Sequence, residues 1–155
     1  MSSNSIKLGP WGGNAGSAWS YNPSGSVITG VFVRFSAGRL ISIYFKSTNV
    51  SSGTSTYSDK FGGYDSNTAD YTEVLVDWPE EYFTSISGTA VTSNGLDTVQ
   101  SLTFHTTKGT RAPNGNTNGT PFSIPMEGAQ IVGFFGRAGE YVDAIGINVV
   151  PKSNV

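Results

Sequence analysis

One histidine, no cysteine and eleven scattered carboxylates make up most of the reactive inventory of this 155-residue chain. The histidine, His105, lies in the strand-like run Leu102-Thr103-Phe104-His105-Thr106, on the face opposite Phe104. No nucleophile with a recognisable motif accompanies it, so it reads as a solvent-facing strand histidine rather than a general base. Hydrolysis of a glycosidic bond asks for two carboxyls roughly 5 to 9.5 Å apart across a cleft. Glu80 and Glu81 are adjacent, and on an extended backbone they diverge to opposite faces. Asp77 with Glu80, after Pro79, is the better pair and reads as an acidic turn. Asp59, Asp65 and Asp70 fit no calcium-loop spacing, and a hard cation needs six to eight oxygens. With zero cysteines there are neither disulfides nor thiolate metal sites. No phosphate-cradling glycine motif follows a strand. The residues therefore predict no catalysis, no cofactor and no metal. One carboxylate stands in a different setting: Asp143 closes the short run Gly139-Glu140-Tyr141-Val142-Asp143. Taken alone, such an aspartate reads as an acceptor for a neighbouring turn N–H.

The elements that must carry these residues are strands. Charged residues are 13% of the chain, against about 25% in a typical soluble protein, and 20 glycines break it into short pieces. Ser26 to Phe35 and Leu40 to Phe45 are rich in β-branched and aromatic residues and flank the turn Ser36-Ala37-Gly38-Arg39, which predicts a hairpin. Further strands are expected at Glu73 to Asp77, Phe83 to Val91, Val99 to Thr106, Ile131 to Gly136 and Tyr141 to Val150. Polar stretches at Thr48 to Ser58 and Asn114 to Thr120 read as hairpin loops. No window sustains a 3.6-residue apolar period, so no α-helix is expected. Ten or more short strands in one domain, residues 1–155, imply an all-β sandwich, barrel or prism. Aromatic-Gly turns at Trp11-Gly12-Gly13, Phe61-Gly62-Gly63 and Phe135-Gly136 hint at repeated Greek-key units. Trp11, Trp19 and Trp78 are expected as core or edge aromatics.

A net charge of −2 with nine dispersed basic residues argues against nucleic acid as a partner. No run of 18 apolar residues exists, so no membrane insertion is expected. Met1-Ser2-Ser3-Asn4-Ser5-Ile6-Lys7 lacks a basic region followed by an apolar stretch, which predicts a cytoplasmic or nucleocytoplasmic protein. The sequons Asn49-Val50-Ser51 and Asn118-Gly119-Thr120 then count as coincidence.

Three ordered segments resemble the jacalin-related lectin family: Gly9-Pro10-Trp11-Gly12-Gly13-Asn14-Ala15-Gly16, then Gly119-Thr120-Pro121-Phe122-Ser123, then Ile131 to Gly146 with its Gly136-Arg137-Ala138-Gly139-Glu140-Tyr141-Val142-Asp143 core. The resemblance implies a β-prism of three four-stranded Greek-key sheets about a pseudo-threefold axis, with the first strand near the last ones. It also implies a calcium-independent carbohydrate site of Gly16, Gly139, Glu140, Tyr141, Val142 and Asp143. In that site the backbone N–H groups of Glu140 and Tyr141 face the ring oxygen and O6 of a sugar. Asp143 accepts from O4 and O6 through charge-assisted bonds, and Gly16, with no Cβ, brings its N–H to O3 or O4. Glu140 is expected to send its side chain into solvent, and Tyr141 divides between core packing and sugar contact.

The chain runs unbroken through Gly9 to Gly16, which within this family points to the mannose/glucose branch, with a galactose-preferring lectin as the alternative. Some members hold a second sugar in an equivalent loop of the first Greek key. Here that loop reads Phe35-Ser36-Ala37-Gly38-Arg39, with Arg39 expected where the carboxylate belongs. A cation cannot accept hydroxyl protons, so one site per chain is predicted. The implied partners are mannose-containing glycans or glycoproteins and, for avidity, a homo-dimer or higher homo-oligomer. The rival reading from another class is a module of the same fold that contacts protein instead of sugar, in which Asp143 would be dispensable.

Overall fold

β-branched and aromatic side chains alternating with Ser, Thr and Gly favour the pleated backbone over the helix, and the computed structural model of this chain is all strand and turn over its described residues, 5–36, 38–63, 70–93, 96–111, 117–124 and 128–152. One sheet lays β1 (Ile6–Gly12), β13 (Val142–Pro151), β12 (Ala129–Ala138) and β2 (Ser17–Tyr21) side by side in that order. A second orders β10 (Gly109–Arg111), β9 (Leu96–Thr106), β8 (Phe83–Ser93) and β11 (Thr120–Ser123). The third orders β5 (Ser55–Tyr57), β4 (Arg39–Asn49), β3 (Ser26–Ser36) and β7 (Asp70–Leu75), with β6 (Phe61–Gly62) also paired to β4. All pairings are antiparallel. The expected prism is thus present, its third sheet carrying a fifth strand, and β1 pairs with β13 as implied.

Each sheet contributes aromatics to the shared interior. Phe45 of β4 stacks on Phe134 of β12 at 4.6 Å, and Phe104 of β9 meets Phe134 edge-on at 6.4 Å. All three rings are fully buried. Trp19 joins them and stacks on Phe61 at 4.6 Å, while Trp11 lies half-buried against Phe122 at 5.2 Å.

The repeat is written in the strand register. Each long hairpin has one extra residue in its first strand: Thr29 in β3, Thr84 in β8 and Val132 in β12. Each has another in its second strand, near the turn: Ile41 in β4, Gln100 in β9 and Asp143 in β13. A bulge re-aims the side chain of the extra residue, so Ile41, Gln100 and Asp143 occupy matching places in the three sheets. The aromatic-Gly-Gly echo has the same basis. The Gly13 N–H donates to the Asp143 carbonyl at 2.7 Å, and the Gly63 N–H donates to the Ile41 carbonyl at 3.1 Å.

Two readings of the elements change. Thr48 to Ser58 is no single loop: β4 runs on to Asn49, β5 begins at Ser55, and the Asn49 carboxamide oxygen closes the turn by accepting the N–H groups of Ser51 and Ser52, each at 2.9 Å. Glu80 and Glu81 are not extended, because Trp78 to Glu80 form a turn in which the Glu81 N–H donates to the Asp77 carbonyl at 2.9 Å. Glu81 then turns inward and Glu80 outward. His105 is half-buried beside Ser87, 2.9 Å from Nε2 to the hydroxyl. Asp59 and Asp70 are exposed; Asp65 lies outside the described residues, as do positions 114–116 of the second polar stretch.

Candidate functional site

At one end of the prism the turn between β1 and β2 meets the β12–β13 hairpin. The first brings Gly16 at a φ of +71°, a backbone region that glycine enters without penalty. A Cβ there would stand 2.5 Å from the carbonyl group of Ala138 and 2.7 Å from Asp143 Oδ2. Glycine is therefore the residue that lets these two turns close on each other. Gly139 lies alongside, its own Cβ position 3.6 Å from Gly16 Cα and 3.9 Å from Asp143 Oδ2, ordinary contact distances. Its N–H is already committed to the Tyr141 carbonyl at 2.9 Å, so Gly139 shapes the turn instead of offering a donor.

Asp143 is the chemically unusual member. Only 3% of its surface is exposed, yet among the described residues no side chain or backbone N–H donates to its carboxylate. The turn bond anticipated for it is made by its backbone carbonyl, with Gly13. Burial raises the pKa of the carboxyl above its ordinary value, and the positive fields of Arg137 and Arg39 oppose that rise without cancelling it. The result is a carboxylate in a largely buried residue whose oxygens are left free to accept from a ligand. Hydroxyl groups of a ligand seated beside Gly16 are suitable donors.

Arg137 comes from β12, within the motif of residues 136–143, and its role is set by contacts the sequence does not announce. Its Nε donates to the carbonyls of Asn14, at 3.0 Å, and Ala15, at 3.2 Å, while Nη2 donates to the Gly16 carbonyl at 2.7 Å. No periodicity in the sequence announces such a long-range contact, 121 to 123 residues apart.

The remaining expected site residues divide. Glu140 is exposed, as anticipated, and Tyr141 is half-buried with the Arg39 guanidinium 5.0 Å from its ring centroid. Tyr141 thus belongs to the rim, outside the core. Val142, expected with the site, is fully buried in the core in this structure. Its part is to anchor the strand that carries Asp143. A correction concerns the first Greek key. By register the match to Asp143 is Ile41, not Arg39, and Ile41 is 2% exposed. In the remaining sheet the match is Gln100, whose Oε1 accepts from Thr89 and the Gly119 N–H and whose Nε2 donates to Asn118. Asp143 is the one charged acceptor of the three equivalent positions. Ala37 of the first-key loop lies outside the described residues.

Comparison with known proteins gives a consistent picture. The jacalin-like lectin domain family matches residues 8–148. A mannose/glucose-specific lectin of Parkia platycephala is 41% identical over 155 residues, covering 97% of this chain and 33% of its own length. The chain thus spans about a third of that relative. The crystal structure of Calystegia sepium agglutinin is similar with a TM-score of 0.84 at 34% identity, covering 98% of this chain and 100% of that one. A mannose-binding jacalin-related lectin from Ananas comosus gives a TM-score of 0.76 at 34% identity over 95% of this chain and 98% of its own.

Proposed function

The chain belongs to the jacalin-like lectin family, and we propose that it holds mannose-type (mannose or glucose) glycans at the Gly16–Asp143 end of the prism, reversibly and without chemistry. The observation that carries the reading is Asp143, a residue 3% exposed whose carboxylate receives no donor among the described residues and lies against a backbone position that only glycine permits. A pyranose completes it. Two sugar hydroxyls donate to Asp143, while N–H groups of the Gly16 and Glu140–Tyr141 backbone serve the ring-side oxygens. Names of similar proteins that bind mannose or glucose support the sugar class.

A few hydroxyl bonds at ~1 kcal/mol net each give an affinity near the millimolar scale, about −4 kcal/mol. Useful binding then comes from several sites held together, and a homo-oligomer is part of this proposal. A glycan array run with chelator and without calcium tests it. Signals on α-mannosyl glycans are expected. Signals on galactosides alone would overturn the sugar assignment, and a blank array from folded protein would move the function to a protein-contacting module.

A further inference from the structure

We propose that Arg137 is a positioning residue that builds the sugar site without touching the sugar, by fixing the direction of the Gly16 N–H. The proposal deepens the lectin reading and rests on it for its functional consequence, though its structural half does not.

The geometry is a clamp. Three consecutive carbonyls, those of Asn14, Ala15 and Gly16, turn toward one guanidinium at 3.0, 3.2 and 2.7 Å. In a planar trans peptide the C=O and the following N–H point to opposite sides. Holding the Ala15 carbonyl on the guanidinium therefore sends the Gly16 N–H away from it. Gripping the Gly16 carbonyl does the same for the next peptide, where β2 begins at Ser17. From the other side, the Gly13 N–H is tied to the Asp143 carbonyl at 2.7 Å. The turn is thus pinned at both ends to the hairpin that bears the acceptor, donor and acceptor sharing one frame. Without the clamp, Gly12, Gly13 and Gly16 leave the segment much backbone freedom, and sugar binding would have to order it. Arginine suits the task because its planar fork serves several acceptors at fixed angles, whereas a lysine ammonium is a point charge on a flexible stem.

The same guanidinium also acts through space on Asp143. The charged groups that face that carboxylate are Arg137 from β12 and Arg39 from β4, and both favour its ionised form. Geometry and charge can be separated by substitution. Arg137→Lys keeps the charge and loses the fork; Arg137→Met loses both.

The test uses the whole chain, with methyl α-mannoside as the probe and two readouts. The first is amide hydrogen exchange of residues 13–17 without sugar. Both variants should speed exchange in this turn while the β12–β13 ladder stays protected. Unchanged exchange at 13–17 would overturn the clamp, whether or not the wild type binds any sugar. The second is mannoside affinity against pH. Arg137→Lys should weaken binding about tenfold, the scale of one charge-assisted hydrogen bond, with its acid limb where the wild type has it. Arg137→Met should weaken binding at least as much and move the acid limb to higher pH. Wild-type affinity in both variants would overturn the positioning role, and so would exchange that accelerates throughout the sheet. A wild-type chain that binds no mannoside would instead defeat the sugar reading and leave the exchange result to decide the clamp.

Discussion

The residues of the site differ in how much their surroundings demand of them. Gly16 and Gly139 look alike in the sequence, but only Gly16 sits at positive φ with no room for a Cβ. Gly16→Ala should therefore lose mannoside binding and about 1–2 kcal/mol of stability from the left-handed backbone alone. Gly139→Ala should keep the fold and most of the affinity. Paired calorimetric titration and thermal melts check both, and equal losses in the two variants would refute the distinction. Asp143 makes the sharper case. Its carboxyl pKa is raised by burial, so the folded state disfavours the charge that the proposed binding would use. A raised carboxyl contributes stability when protonated and loses it as pH rises through the folded pKa. At neutral pH the charge is thus a burden on the empty protein. Asp143→Asn should abolish binding while leaving the melting temperature unchanged or higher, a trade between stability and function. A variant that still binds with full affinity would end the site assignment. Motif and chemistry singled out Asp143 and Gly16 in the sequence, and the fold brings the two together. What the residue string could not show was the clamp by Arg137 or the burial of Val142, since both depend on partners distant in the chain.

At the scale of elements, the long apolar hairpins were readable and the short edge strands were not. β3, β4, β8, β9, β12 and β13 carry enough β-branched and aromatic residues to announce themselves. β2, β5, β10 and β11 are three to five residues long, and their pairing is decided by the neighbour they lie against. The turn from Trp78 to Glu80 shows the same limit. Read locally, Glu81 is one of two adjacent acids; in the fold it is 3% exposed and receives the Thr106 hydroxyl at 2.6 Å and the Arg111 guanidinium at 3.0 Å. These contacts join the turn before β8 to β9 and β10. Truncating Arg111 leaves a buried carboxylate with one donor fewer. Removing the partner of a fully buried charge costs 3–5 kcal/mol, but the Arg111 side chain is 45% exposed and water shares the load. Arg111→Ala should therefore cost roughly 1–2 kcal/mol in a urea melt, with mannoside affinity at neutral pH unchanged. A loss of affinity at unchanged stability would place Arg111 in the site instead.

Across the whole molecule, three repeats share one backbone plan while only one has an acidic bulge, so the proposed binding and the folding would rest on different carboxylates. Acid separates them. Thr106 donates a hydrogen bond that lowers the Glu81 pKa, aided by the charge of Arg111 and opposed by burial. A lowered carboxyl gives stability that is present above its unfolded pKa and lost as pH falls through the folded one. Asp143 is shifted the other way, above the ordinary aspartate value of about 3.9. On acidification Asp143 therefore takes its proton first. That step removes an acceptor from the sugar while favouring the fold, and Glu81 still supports the β8–β9–β10 corner. A pH interval should exist in which the prism is folded and does not bind. Mannoside titrations alongside near-ultraviolet circular dichroism, stepped from neutral to pH 3, check this. Affinity should vanish while the aromatic signal of the Phe45, Phe104 and Phe134 interior persists, and the signal should collapse only at lower pH. If affinity and tertiary signal fell together, loss of binding would reflect unfolding, and Asp143 would not be the titrating group of the site.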